Sequence, residues 1–212
     1  MSRFADVSGG AQIPAGVTES LHAGGLVIYP TDTLYGMGVD PRSPQGISRL
    51  MRAKGRVTGN PLPLLLAGAD CATAWVAEVP ADASRLMARF WPGALTLVLP
   101  AADGLPPEVT GGGDTVGLRV PAHPVARALA AAAGGAVTGT SANRSGEPGL
   151  WRDPEALLAE FSGDADWLLW DVPVVSGTPS TVVRVPHRGD IACIREGAIP
   201  FRTITAYLQA RR

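Results

Sequence analysis

The basic side chains with the clearest chemical implication are Lys54 and Arg56, which flank Gly55 where a predicted helix ends. The chain has 18 basic residues, of which Lys54 is the single lysine. A compact ammonium differs from the planar guanidinium of arginine, so a lone lysine indicates a site that needs the ammonium, although chance also explains one lysine. Side chains two apart in extended backbone point the same way, so the pair suits two neighbouring anionic groups.

A second set of polar side chains follows a short apolar stretch. Residues 26–29 have the length and β-branched content of a buried strand, which stops at Pro30 because proline cannot extend a central ladder. Thr31, Asp32 and Thr33 then place three oxygen-bearing side chains where ligands of α/β sheets usually bind. The alternative interpretation is that Thr31 and Asp32 only cap a turn.

Further polar groups come later in the chain. Residues 139–149, GTSANRSGEPG, form another polar loop after a predicted strand, with Ser141 and Asn143 as its hydroxyl and amide. These two can bind ligand oxygens without adding charge, or simply build a turn. Arg119 is the one charged residue in a predicted strand over 116–120, where it either contacts an anion or forms a buried ion pair.

The elements that position these side chains alternate between helices and short strands. Ser43 and Pro44 are typical of a helix start, Ile47, Leu50 and Met51 share one helical face, and Gly55 is a natural stop. The predicted strands are residues 26–29, 62–66, 94–99, 116–120, 136–138, 167–170, 181–185 and 191–194. The predicted helices begin near residues 14, 44, 81, 124, 153 and 203.

This order of elements predicts an α/β fold of a single domain over residues 1–212, with one twisted, open, mixed sheet flanked by helices. Pro63 predicts that the strand over 62–66 is irregular or at an edge, and residues 100–114 are expected to form a loop.

Composition excludes several classes of protein. A hydrophobic fraction of 46% over 212 residues fits a globular domain, and a net charge of −1 argues against a surface that is basic throughout. No stretch is apolar enough for a signal peptide or a membrane span, so a cytoplasmic protein without membrane contact is expected. Cys71 and Cys193 lie far apart in apolar contexts and are expected to be buried, inert thiols.

Several common catalytic signatures are missing from the sequence. It contains no GxxxxGK[ST] phosphate loop, no third glycine after Gly36 and Gly38 for a dinucleotide fingerprint, and no HExxH or CxxC. Ser141 is not in a GxSxG turn, and the three histidines are isolated, as expected of surface or packing residues. No protein-held metal is expected.

Six motifs in a fixed order resemble the YrdC-like family. They are PTDTLYGMG at 30–38, KGR at 54–56 with NPL at 60–62, WPGALTLVL at 91–99, DTVGLRVPAHP at 114–124, TSAN at 140–143 and PSTVV at 179–183. The resemblance spans about residues 26–195, within a motif-bearing core of about 14–200. The chain is similar to the single-domain form of the family. The resemblance implies a fold with a concave, positively charged ligand cavity.

The resemblance also implies a nucleotidyltransferase activity, L-threonylcarbamoyladenylate synthesis. Such enzymes condense L-threonine, bicarbonate or CO2 and ATP into threonylcarbamoyl-AMP and pyrophosphate, for the t6A modification of tRNA. Other proteins then transfer the threonylcarbamoyl group to tRNA. Mg²⁺ is expected on the ATP phosphates, because the sequence offers no cage of carboxylates.

Site residues follow from the motif positions. The resemblance implies that Lys54, Arg56, Ser141 and Asn143 form a catalytic set around ATP. Further ATP contacts are implied at Asn60, Thr115, Gly139, Gly149 and Arg195, and threonine contacts at Thr33, Arg119 and Ser180.

Three departures from the family pattern concern the pocket. Many relatives carry a histidine where this chain has Leu65, Val57 replaces a frequent proline, and Pro179 stands where some relatives have glutamate. They leave the amino-acid preference open, so a sister enzyme that adenylates a different carbamate remains an alternative. A non-catalytic module that binds double-stranded RNA is the second alternative, although aromatic residues at 6% offer little base stacking.

Overall fold

The computed structural model describes residues 3–8, 10, 12–55, 59–145, 153–171 and 177–210. Its strands are β1 (Arg3–Asp6), β2 (Val27–Tyr29), β3 (Gly36–Gly38), β4 (Leu64–Leu66), β5 (Leu95–Pro100), β6 (Thr115–Arg119), β7 (Ala136–Thr138), β8 (Thr140–Ser141), β9 (Trp167–Trp170), β10 (Thr181–Arg184) and β11 (Ala192–Arg195). Its α-helices are α1 (Ala15–His22), α2 (Pro44–Lys54), α3 (Ala81–Phe90), α4 (Pro107–Thr110), α5 (Pro124–Ala132), α6 (Pro154–Phe161) and α7 (Phe201–Gln209), and a 3₁₀ helix covers Ala69–Ala74.

The strands form two mixed sheets. The first has the order β1-β9-β2-β3-β8, and the second has the order β11-β10-β5-β6-β4-β7. Parallel and antiparallel pairs occur in both: β2 runs parallel to β9 and antiparallel to β3, and β5 runs parallel to β10 and antiparallel to β6. The mixed α/β class is therefore confirmed, but the strands divide between two sheets where the sequence predicted one.

Strand β3 is absent from the predicted strands, and its two glycines approach neighbouring residues closely. Gly36 lies against the ring of Tyr29, and Gly38 lies against the carbonyl oxygen of Thr138. A strand can approach its neighbours this closely only without a Cβ atom. Glycine at these positions therefore allows a strand to form rather than preventing it.

Replacing Gly38 with alanine should strongly destabilise the fold. The new Cβ would lie 2.5 Å from the Thr138 oxygen and 2.8 Å from a ring carbon of Tyr29. Overpacking of this kind costs about 3 kcal/mol, which would appear as a lower urea midpoint at unchanged m value. Gly163 is the matched control, because a Cβ there has no neighbour within 4 Å. A similar loss for both alanine variants would contradict this explanation.

The prediction of an edge or irregular strand at residues 62–66 is wrong. Strand β4 lies between β6 and β7, with Leu64 and Leu65 paired on both sides. Pro63 precedes the strand, and its carbonyl accepts a hydrogen bond of 2.7 Å from the Gly139 amide. The missing N–H of this proline therefore falls outside the ladder.

Helix boundaries agree closely with the sequence at α2. The Ser43 hydroxyl accepts a hydrogen bond of 3.1 Å from the Gly46 amide, and Gly55 ends the helix in the left-handed conformation with φ of 58°. Thr203 was predicted to cap the last helix, which instead begins at Phe201, whose amide donates to the Glu196 carboxylate. The expected loop over 100–114 contains the short helix α4.

The packed interior lies on the faces of both sheets. One cluster joins α2 and α3 to the second sheet through residues such as Leu50, Leu86 and Leu97. The expectation of two buried thiols is wrong for Cys193, which is exposed on the edge strand β11, and Cys71 is half-buried. Among the residues that the structure describes, no helix has the length and apolar content needed to cross a bilayer.

Candidate functional site

Residues from both sheets surround a cavity of about 780 Å³. Ten of the twelve site residues expected from the sequence line it: Thr33, Lys54, Asn60, Thr115, Arg119, Gly139, Ser141, Asn143, Ser180 and Arg195. Arg56 and Gly149 lie outside the described residues. Within the described part of its wall the cavity has three basic side chains, Lys54, Arg119 and Arg195, and no carboxylate, histidine or cysteine. This wall favours anionic ligands.

Lys54 occupies the last position of helix α2 and is only 3% exposed. Its ammonium donates hydrogen bonds of 2.7 Å to the carbonyl of Ser141, 2.7 Å to the carbonyl of Asn143 and 3.1 Å to the amide oxygen of Asn143. The Ser141 hydroxyl donates to that same amide oxygen. The lysine thus fixes the polar loop after β8 while its charge reaches the cavity.

Arg119 lies at the end of β6 and is 4% exposed. Its Nε donates to the Gly93 carbonyl at 2.8 Å, and one terminal nitrogen donates to the Thr33 hydroxyl at 2.9 Å. The other terminal nitrogen forms an ion pair of 2.6 Å with Asp32. The guanidinium is therefore held by backbone, hydroxyl and carboxylate together.

The loop after β2 supplies two of these partners. Thr31 does cap the turn, because its hydroxyl accepts from the amides of Thr33 and Leu34 at 3.1 and 3.2 Å. Asp32 does not, because its carboxylate accepts from Arg119 and from the Ala122 amide at 3.0 Å. The alternative that these two side chains only cap a turn therefore holds for Thr31 and not for Asp32.

The third basic group, Arg195, lies on the edge strand β11. One terminal nitrogen donates to the Ser180 carbonyl at 2.9 Å, and the Ser180 hydroxyl lies 2.9 Å from that of Thr96. Burial, and then the nearby charge of Arg119, lower the pKa of Arg195. An arginine stays protonated at neutral pH despite such a shift, so the two guanidinium charges repel each other across the cavity. An anion between them would relieve this repulsion.

Sequence reasoning missed several residues that shape the site. Thr96 lines the cavity, and its signal was a polar residue within the apolar WPGALTLVL strand. Tyr35 also lines the cavity and stacks on Trp170 with a centroid distance of 5.0 Å. Burial raises the pKa of Tyr35, whose hydroxyl donates to the Asp171 carbonyl, so it serves as a neutral donor. The sequence does not show that Tyr35 is such a donor, because this depends on its contacts with Trp170 and Asp171.

His123 fits the expected role of a packing residue. Its Nδ1 accepts from the Val125 amide at 3.3 Å as the cap of α5, and its Nε2 lies 3.3 Å from the Asp171 carboxylate. Burial lowers the pKa of His123, and the opposing effects of Asp171 and Asp32 do not overcome it. The imidazole does not line the cavity. It supports the loop after β6 as a neutral group.

Comparison with known proteins identifies related chains. The model of the family Sua5, YciO and YrdC, described as "Telomere recombination", matches residues 19–197. A threonylcarbamoyl-AMP synthase of Pyrococcus abyssi is 34% identical over 87% of this chain, and the match covers 54% of that relative. One of Halorhodospira halophila is 44% identical over 66% of this chain and 71% of the relative. The chain thus spans little more than half the length of the P. abyssi relative.

Solved structures agree with these matches. The crystal structure of P. abyssi Sua5 complexed with L-threonine superposes with a TM-score of 0.88 at 30% identity, covering 98% of this chain and 61% of the other. Escherichia coli YciO superposes with a TM-score of 0.81 at 25% identity, covering 93% of this chain and 97% of the other.

Proposed function

We propose that this chain, which belongs to the Sua5, YciO and YrdC family, makes threonylcarbamoyl-AMP from L-threonine, bicarbonate and ATP. The observation that carries the proposal is the shared cavity, in which Lys54, Arg119 and Arg195 face one volume of about 780 Å³ without a carboxylate in its described wall. All three substrates carry negative charge on the groups to be bound. The printed names of the matching relatives point to the same reaction.

Threonine binds at the Arg119 end in this proposal. A guanidinium has five N–H donors. Among the described residues, Gly93, Thr33 and Asp32 accept from three of the donors of Arg119, which leaves two for a ligand. Two coplanar donors match a carboxylate in a bidentate pair. Ser180, the residue before β10, adds a hydroxyl, and its hydrogen bond to Thr96 orients it.

ATP binds at the Lys54 end. The Lys54 ammonium, the Ser141 hydroxyl and the Asn143 amide meet in one hydrogen-bonded group, and the sequence adds Arg56 and Gly149. Asn60, Thr115, Gly139 and Arg195 complete the proposed nucleotide contacts along the cavity wall. A volume of about 780 Å³ is within the range of ligand pockets, which hold drug-sized molecules or larger.

The reaction needs little acid-base chemistry from the protein. The threonine amine takes up bicarbonate with loss of water, or CO2 with loss of a proton, to give a carbamate. A carbamate oxygen then forms a bond to the α-phosphorus of ATP, and the bond from that phosphorus to pyrophosphate breaks. Such transfers depend on positioning and on offsetting charge, which is what a wall of cations and hydroxyls provides.

Mg²⁺ is proposed to enter bound to the ATP phosphates. The part of the chain that the structure describes has no cluster of three or more His, Cys, Asp or Glu side chains arranged for a metal. The cavity offers hydroxyl and amide oxygens at Ser141 and Asn143, which fit a metal that keeps most of its ligands from phosphate and water. The ion offsets phosphate charge when bound.

The product is a mixed anhydride, so proteins that transfer the threonylcarbamoyl group to tRNA are proposed as the next partners. Direct contact of this chain with tRNA is proposed as well.

Incubating the full chain with ATP, bicarbonate and labelled threonine tests the proposed function. We expect pyrophosphate release that requires all three substrates, together with a labelled product that contains AMP. Release with another amino acid in place of threonine would favour the sister enzyme, for which Leu65 on the cavity wall is the relevant residue. Salt-dependent binding of double-stranded RNA without nucleotide binding would favour the RNA-binding module.

A further inference from the structure

We propose that Asp32 is a positioning residue that sets the affinity for the amino-acid substrate by fixing the guanidinium plane of Arg119. The inference rests on the proposed function, in which Arg119 binds the threonine carboxylate. Thr31 and Thr33 line the cavity, whereas Asp32 between them does not. The contact that connects Asp32 to the cavity wall is its ion pair with Arg119.

The geometry makes Asp32 a bridge between the two sheets. Its carboxylate follows β2 of the first sheet, and its partners Arg119 and Ala122 lie at the end of β6 and in the next loop of the second sheet. The side chains of Arg119 and Asp32 are 5% and 20% exposed, so the ion pair is only weakly screened by solvent. A backbone donor fixes the carboxylate, and the carboxylate then fixes the guanidinium.

Without Asp32 the guanidinium would keep two of its three anchors, at Gly93 and Thr33. The terminal nitrogen that now contacts Asp32 would lose its partner, and the group could rotate about its remaining contacts. The two donors left for the ligand would then no longer be held in the plane that a bidentate carboxylate requires. Misplacement by about 1 Å can cost about 100-fold in function.

Electrostatics alone predicts the opposite change in the affinity for threonine. The carboxylate of Asp32 offsets part of the charge of Arg119, so removing it would strengthen the attraction for an anionic substrate. A charge role for Asp32 therefore predicts tighter threonine binding in Asp32→Ala, whereas a positioning role predicts weaker binding. The sign of the change separates the two.

Asp166 provides a matched control at a distance from the cavity. Its carboxylate also accepts from one backbone amide, that of Leu26 at 2.8 Å, and also pairs with one arginine, Arg49 at 2.9 Å. Neither Asp166 nor Arg49 lines the cavity. Asp166→Ala thus removes the same type of interaction without reaching the proposed substrate site.

The experiment measures the Kd for L-threonine and for ATP by calorimetry on the full chain, with thermal unfolding recorded for each variant. We expect Asp32→Ala to raise the threonine Kd about 10-fold, in line with the loss of a hydrogen bond between charged groups, and to leave the ATP Kd within about twofold. Asp166→Ala should change neither. Unchanged or tighter threonine binding in Asp32→Ala, or an equal loss in Asp166→Ala, would overturn the inference.

Asp32→Glu covers the case in which Asp32→Ala does not fold. It keeps the charge and moves the carboxylate by one methylene, so a positioning role again predicts weaker threonine binding, and an unchanged Kd contradicts it. A wild-type chain that binds no threonine would overturn the proposed function and this inference together. A wild type that binds threonine and releases pyrophosphate, with an unaffected Asp32→Ala variant, would overturn this inference alone.

Discussion

Replacing Lys54 with methionine is expected to lower ATP-dependent pyrophosphate release by at least about 100-fold, the usual effect of removing a preorganised donor at a site of developing charge. The buried ammonium does two things at once. It brings a positive charge to the proposed phosphate site, and it joins helix α2 to the loop of Ser141 and Asn143 through three hydrogen bonds. Methionine has a similar length but can do neither. Steady-state release of pyrophosphate measures the effect.

Arg52 is the matched control for this variant. It is an exposed basic residue in the last turn of the same helix and does not line the cavity. Arg52→Met removes one positive charge nearby, so it should keep the rate within about twofold, as is usual for exposed surface positions. Near-equal rates in Lys54→Met and the wild type would show that the ammonium has no part in the reaction.

Replacing Arg119 with lysine is expected to raise the Kd for threonine by about 100-fold. Lysine keeps the charge, but it cannot form a planar fork with Gly93, Thr33 and Asp32 on one side and a carboxylate on the other. The loss corresponds to two charge-assisted hydrogen bonds at about 1.5 kcal/mol each. ATP binding should change by less than about threefold, because the substitution keeps the positive charge of the side chain.

Arg49 is the control for this substitution. Like Arg119 it has three partners, which are the carbonyls of Gly24 and Asp164 and the carboxylate of Asp166, but it lies outside the cavity wall. Arg49→Lys should leave the threonine Kd unchanged. If threonine binds Arg119→Lys as tightly as the wild type, the carboxylate contacts some other residue.

The two substitutions act on one cavity, in which the fold holds like charges together at a cost. Burial, and then the charge of Arg119, lower the pKa of Arg195, and Asp32 pairs with Arg119 alone of these two arginines. Such clusters are typical of sites that bind anions, because the ligand supplies the missing negative charge.

The sequence by itself determined the local structure and the chemical types of the site residues. The Ser43 cap and the Gly55 stop define helix α2 because both act within one or two turns of the chain. Arg119 and Ser141 stand out against their immediate neighbours and Lys54 stands out as the single lysine of the chain, while the resemblance to the family implied their roles.

Only the tertiary structure decided how the strands divide between two sheets and which groups meet across them. Strand β3 depends on Tyr29 and Thr138 lying against glycine, and Asp32 finds Arg119 87 residues along the chain. Such contacts depend on register and packing between distant segments, and no local propensity encodes them. The sequence therefore named most of the side chains at the site, and the fold decided that Asp32 holds an arginine instead of capping a turn.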